Sequence, residues 1–108
     1  MTPEQQRIAI AEACGWRHHP EQAKYNPLMA WTDIRDQLHA LCPDYLNSLD
    51  AMHEAEKVLT ESQHSDFTAI LWGVCGLSLA DSVWLYGHAT ASQRAEAFLK
   101  TIGKWTED

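Results

Sequence analysis

Cationic residues are scarce in this chain. Lys and Arg total 8 against 15 Asp and Glu, a formal net charge of -7 with the histidines neutral. Phosphate-backbone binding needs a concentrated cationic face, so nucleic acid is disfavoured as a direct ligand. Cysteine is also sparse: Cys14, Cys42 and Cys75 lie far apart and form no C-x-x-C pair. An odd, scattered set argues against a secreted disulfide framework, and the apolar neighbours of each predict reduced, buried thiols rather than activated nucleophiles. Long apolar runs are missing. The most apolar stretch, 67–79, is too short to span a bilayer and is broken by Gly73 and Gly76. Residues 1–6 lack the basic and apolar regions of a signal peptide, so a cytoplasmic location is expected.

The motifs of common enzymes are missing too. Gly73 and Gly76 fit neither G-x-G-x-x-G nor the Walker spacing, and no serine sits in a G-x-S-x-G elbow. His53-Glu54-Ala55-Glu56-Lys57 begins like a zincin helix but carries Lys57 where the second imidazole must stand, so a solvated Glu54–Lys57 ion pair is expected instead. His18 and His19 with Glu21 could catch a metal adventitiously, but no second ligand cluster is identifiable and adjacent positions point in different directions, so no dedicated metal site is expected. Asp50 and Glu54, four residues apart, read as neighbours on a solvated helix face rather than an acid–base pair. No catalytic residue, metal or cofactor is expected, and the chain reads as a non-enzyme.

What is present is helix punctuation. The 108 residues, 45% of them hydrophobic, suit one domain over 1–108 with a real core. Thr2, Thr60 and Thr90 each precede a Gln by three residues (Gln5, Gln63, Gln93), the capping-box pattern. Gly15, Gly76 and Gly103 are each followed closely by an apolar residue, the signature of a left-handed helix end. Apolar positions recur with helical spacing at Phe67, Ile70, Leu71 and Val74, and again at Ala95, Phe98, Leu99 and Ile102. Helices are therefore predicted at about 3–14, 48–59, 61–75 and 91–102. In the second, Leu49, Met52, Ala55 and Leu59 form the inner face. Its immediate succession by the third predicts an αα-hairpin.

Two regions are ambiguous. Residues 17–43 contain Pro20, Pro27 and Pro43 and begin as loop, with 32–41 either one helix or partly a strand. Residues 82–89 alternate Val83 and Leu85 against Trp84 and Tyr86 and are predicted to form a strand. The fold class is α+β, a small, helix-rich α/β/α layered domain; the alternative is an all-α bundle, should 32–41 and 80–86 both prove helical.

Two surfaces are candidates for a partner. Between positions 44 and 66 lie Asp44, Asp50, Glu54, Glu56, Glu61 and Asp66, with Lys57 the only Lys or Arg. On a helical hairpin these acids project outward as a negative face, either an ordinary solvated exterior or a contact for a basic protein. Arg94, Lys100 and Lys104 make the last helix locally basic by comparison. Trp84 and Tyr86 share one side of the predicted strand, as core or as an aromatic interface patch. Trp16 and Trp105, beyond their glycines, are packing anchors.

Three blocks carry a resemblance: 1–16 (MTPEQQRIAIAEACGW), 43–57 (PDYLNSLDAMHEAEK) and 89–105 (ATASQRAEAFLKTIGKW). Together they are similar to the phage ABA-sandwich domain family of small tailed-phage and prophage accessory proteins. Residues 17–42 and 61–88 lie outside the resemblance. It implies an α/β/α layered domain, a phage accessory gene and residence in the bacterial host cytoplasm, and it brings no catalytic residues. The function it implies is binding and inhibition of a host protein, for instance a defence component such as a CRISPR effector. A host protein with a basic surface is the expected partner, with neither nucleic acid nor membrane as a direct ligand and a homo-oligomer left open. The alternatives are a sponge that sequesters a nucleotide immune signal, and a minor phage enzyme or nucleic-acid metabolism factor.

Overall fold

A capping box opens each of the three longer helices. The structure, a computed structural model, describes residues 1–75 and 88–107. Helix α1 spans Pro3–Ala13: Thr2 Oγ1 accepts from the Gln5 amide at 3.1 Å, and Gln5 Oε1 accepts from the Thr2 amide at 2.9 Å. The same reciprocal pair starts α4 (Glu61–Cys75) at Thr60 and Gln63, and α5 (Ala91–Thr101) at Thr90 and Gln93. Between them, α2 (Pro20–Ala23) is a single turn and α3 (Leu49–Glu56) is capped by Ser48 Oγ on the Ala51 amide. Helices α1 and α5 close alike. Trp16 N donates to Ala11 O and Gly15 N to Glu12 O; Lys104 N donates to Leu99 O and Gly103 N to Lys100 O. This double bond needs a left-handed residue, and Gly15 (φ +94°) and Gly103 (φ +75°) supply it.

The proline-rich segment becomes a three-stranded antiparallel meander. Strand β1 (Arg17–His18) pairs with β2 (Trp31–Thr32), and β2 pairs with β3 (Leu38–His39), in the order β1-β2-β3. His18 faces Trp31 and Trp31 faces His39 across the register. The β2–β3 turn is held by Asp33, whose Oδ1 accepts from the Arg35 and Gln37 amides at 2.8 and 3.0 Å. Asp36 takes φ 61° in this turn, a conformation its short polar side chain tolerates. Of the two readings of 32–41, the partial strand is the one adopted, and the sheet removes the all-α alternative. The fold is α+β and helix-rich.

Helix α5 is the hub. Ala91, Arg94, Ala95, Ala97, Phe98 and Leu99 are buried, and α1, α3 and α4 all pack on it. Phe67 and Leu71 of α4, Ile10 and Ala11 of α1, and Met52 of α3 meet Phe98 and Leu99 in a single apolar cluster, all fully enclosed. Burying a side chain the size of Phe or Leu contributes roughly 1.5–3 kcal/mol, so this cluster dominates the fold's stability.

Two expectations need correction, and a third falls largely outside the described residues. Helices α3 and α4 do not make a hairpin whose main contact is with each other; the principal partner of each is α5, whose small residues Ala91, Ala95 and Ala97 allow close approach. Leu49 is 42% exposed rather than on the inner face, whereas Met52, Ala55 and Leu59 are enclosed. The predicted strand at 82–89 lies outside the described residues except for His88 and Ala89, and neither of these is strand. Among the described residues, no helix is long and apolar enough to cross a membrane.

Candidate functional site

Five of the six acids between positions 44 and 66 are exposed, and one is not. Asp50 and Glu54 are exposed on α3, and Glu61 and Asp66 are exposed on α4. Asp44 is exposed in the loop before α3, where both its oxygens accept from Asn47 Nδ2 at 3.1 Å. Glu56 departs from the expectation altogether. It is 8% exposed and its Oε1 accepts from Arg94 Nη1 at 2.9 Å, bridging α3 to α5. The reason is helical geometry: Glu56 follows Ala55 on the side of α3 that meets α5, whereas Glu54 points away. Burial pushes the Glu56 carboxyl above its ordinary range, against the pull of Arg94, His53 and His64. Its second oxygen has no hydrogen-bond partner among the described residues.

The basic character expected of the last helix is correspondingly reduced. Arg94 is buried against Glu56, and Lys100 bridges Glu96 at 2.9 Å. Glu54 and Lys57 form the expected surface pair at 2.7 Å. Among the described residues, no group of three metal-ligating side chains occurs. Trp84 and Tyr86 lie outside the described residues. Trp16 does act as an anchor, packing edge-on to Trp31 with ring centroids 6.5 Å apart, and Trp105 sits half-buried beneath Lys100.

Beside α3 the molecule is concave. A groove of about 450 Å³ runs between the β2–β3 turn and α3, with Ile34 and Gln37 on one wall and Glu54 and Val58 on the other. Cys14, Trp16 and Tyr45 also line it. Ile34 is 73% exposed and Val58 47%, so both rims present apolar surface to solvent. Asp33, also in the lining, is held below the usual aspartate range, chiefly by the bond from His39 and then by the Gln37 and Arg35 amides. His39 Nε2 lies 2.8 Å from its Oδ2, and a carboxylate can only accept, so this nitrogen is the donor.

The thiol in the groove is poorly suited to nucleophilic chemistry. Burial raises the Cys14 pKa despite the hydrogen bond from Tyr45, and the same burial raises that of Tyr45. A thiol held protonated is inert at neutral pH. Cys42 and Cys75 are likewise pushed up by burial. The groove sets apolar surface beside Asp33, Arg35 and Glu54; it does not offer an activated sulfur.

No single sequence signal marks this groove. Its walls come from segments about 20 residues apart, and Ile34, Trp16 and Tyr45 read singly as core residues. The one hint was the local excess of carboxylates around Glu54. No family model matches the chain, and neither a curated protein nor a solved structure matches it.

Proposed function

We propose that this chain is a non-enzymatic phage accessory protein that binds and inhibits a host protein in the bacterial cytoplasm, such as a component of antiviral defence. The observation carrying the reading is the groove beside α3: apolar rims at Ile34 and Val58, with Glu54 on the wall and Asp50 one turn earlier on the same helix. Interfaces of this kind anchor on apolar side chains and gain register and encounter rate from complementary charge. The partner's contact surface therefore presents an apolar side chain flanked by Lys or Arg. The resemblance of blocks 1–16, 43–57 and 89–105 to phage accessory proteins supports the host side of the reading.

The test is affinity capture from host lysate, followed by direct binding to the captured protein. Reversing charge at Asp50→Lys and Glu54→Lys is expected to weaken binding by at least about tenfold and to flatten its salt dependence. Ile34→Ser, which alters an exposed position, is expected to weaken it without changing thermal stability. Undiminished binding by both variants refutes the assignment of this groove.

A further inference from the structure

A second concavity, sharing no lining residue with the groove, lies between α1, the sheet and the loop before α3. It measures about 370 Å³ and is lined by Glu4, Arg7, His18, Trp31, Asp44 and Asn47, among others. That volume falls in the range of small-molecule sites, roughly 300–1,000 Å³.

Three features of the lining are complementary to one type of ligand. The first is cationic. Arg7 is half-buried, and among the described residues it has neither an ion pair nor a hydrogen bond, whereas Arg17, Lys24, Lys57, Arg94 and Lys100 are all paired with carboxylates. In a chain with nearly twice as many acids as bases, an unpaired half-buried guanidinium is unexpected, because desolvation without a partner is costly. The second is aromatic. The His18 ring stacks on Trp31 with centroids 4.3 Å apart and planes 22° from parallel. Trp31 is only 5% exposed and is braced edge-on by Trp16, so the platform is rigid. The third is an acceptor. Asp44 takes one donor, Asn47 Nδ2, across both oxygens and keeps lone pairs free for another.

We propose that this cleft binds a small planar aromatic molecule that carries an anionic group and an N–H donor. The ring extends the His18–Trp31 stack, the anion meets Arg7 and the N–H donates to Asp44. Stacking on a preformed aromatic platform tolerates many ring types, while a guanidinium selects for a carboxylate or phosphate. Two sources share this chemistry: a nucleoside monophosphate with an exocyclic amine, and an aromatic amino acid.

The experiment is calorimetric titration of the full chain with adenosine 5′-monophosphate and with L-tryptophan, beside adenosine and indole, which keep the ring and lack the phosphate or the whole amino-acid group. One acidic probe is expected to bind saturably with a Kd below about 1 mM, and its uncharged counterpart roughly tenfold more weakly. Saturation by the nucleotide or by the amino acid identifies the source. Arg7→Gln and His18→Ala are each expected to weaken that probe by roughly tenfold, Arg7→Gln without changing thermal unfolding. The proposal is overturned if neither acidic probe saturates, if the uncharged counterpart binds as tightly, or if either variant binds like the wild type. The counterpart comparison uses only unmodified protein, so it decides the matter even if a variant fails to fold.

Discussion

Replacing Arg94 by Met, with Glu56→Gln as the second arm, reads the cost of the buried carboxylate. Glu56 and Arg94 side chains are 11% and 3% exposed and lie 2.9 Å apart, joining α3 to the central helix. Met roughly preserves the apolar stem of Arg94 but removes its charge. Glu56 is then left to ionise without that partner or to take up a proton, and protonation is the less costly course. Keeping a carboxyl with an ordinary pKa near 4.5 protonated at pH 7 costs about 3.4 kcal/mol, and at pH 5 about 0.7 kcal/mol. The pH 7 value agrees with the roughly 3–5 kcal/mol lost when one partner of a buried pair is removed. The sign follows from the raised folded-state pKa: the group's contribution is fully present below the unfolded value and is lost as pH rises through the folded one. Urea unfolding followed by circular dichroism at pH 5 and pH 7 measures this difference. Because the wild-type carboxyl already sits above its ordinary range, the variant is expected to lose at most about 3 kcal/mol relative to wild type at pH 7, with most of that loss absent at pH 5. Adding Glu56→Gln to Arg94→Met is expected to recover much of the pH 7 loss, since an amide carries no charge to desolvate. Equal losses at the two pH values, or a double variant no better than the single, would refute the reasoning.

Removing a capping hydroxyl with Thr90→Ala is expected to cost about 1 kcal/mol in chemical denaturation, while Thr90→Ser restores most of it. Gly103→Ala is expected to cost roughly 1–2 kcal/mol from its positive φ alone, because its new methyl meets nothing within 4 Å. Gly15→Ala is expected to cost more, since its methyl would fall 2.7 Å from Ile34 Cγ2; combining it with Ile34→Ala should return the excess in a double-mutant cycle. Asp33 has a depressed pKa, so its contribution is present above its unfolded value near 3.8 and is lost as pH falls through the folded one. Asp33→Asn is therefore expected to lower Tm at neutral pH and converge with wild type in acid, a pattern that parallel Tm curves would exclude.

Much of the fold is legible in local chemistry. Thr2, Thr60 and Thr90 mark helix starts because a hydroxyl and a Gln three residues on satisfy orphan amides with no help from distant residues. Gly15 and Gly103 mark helix ends because a left-handed residue disfavours a Cβ in any surroundings. Phe67, Leu71, Phe98 and Leu99 announce their burial through spacing alone. The meander was only half visible, since two-residue strands carry too little alternation to reveal a period of two.

Pairing across distance belongs to the packed molecule. Glu56 and Glu54 are chemically alike and two positions apart, yet one is enclosed against Arg94 and the other lines a solvent-facing groove. The difference lies in which side of α3 meets α5, and α3 carries no residue that names α5 as its neighbour. Likewise, the His18–Trp31 stack is set by the strand register, and the groove walls at Ile34 and Glu54 meet only after the sheet docks. Helix limits and core faces are short-range properties written every few residues; sites are long-range ones, and their residues have no reason to look special until folding brings them together.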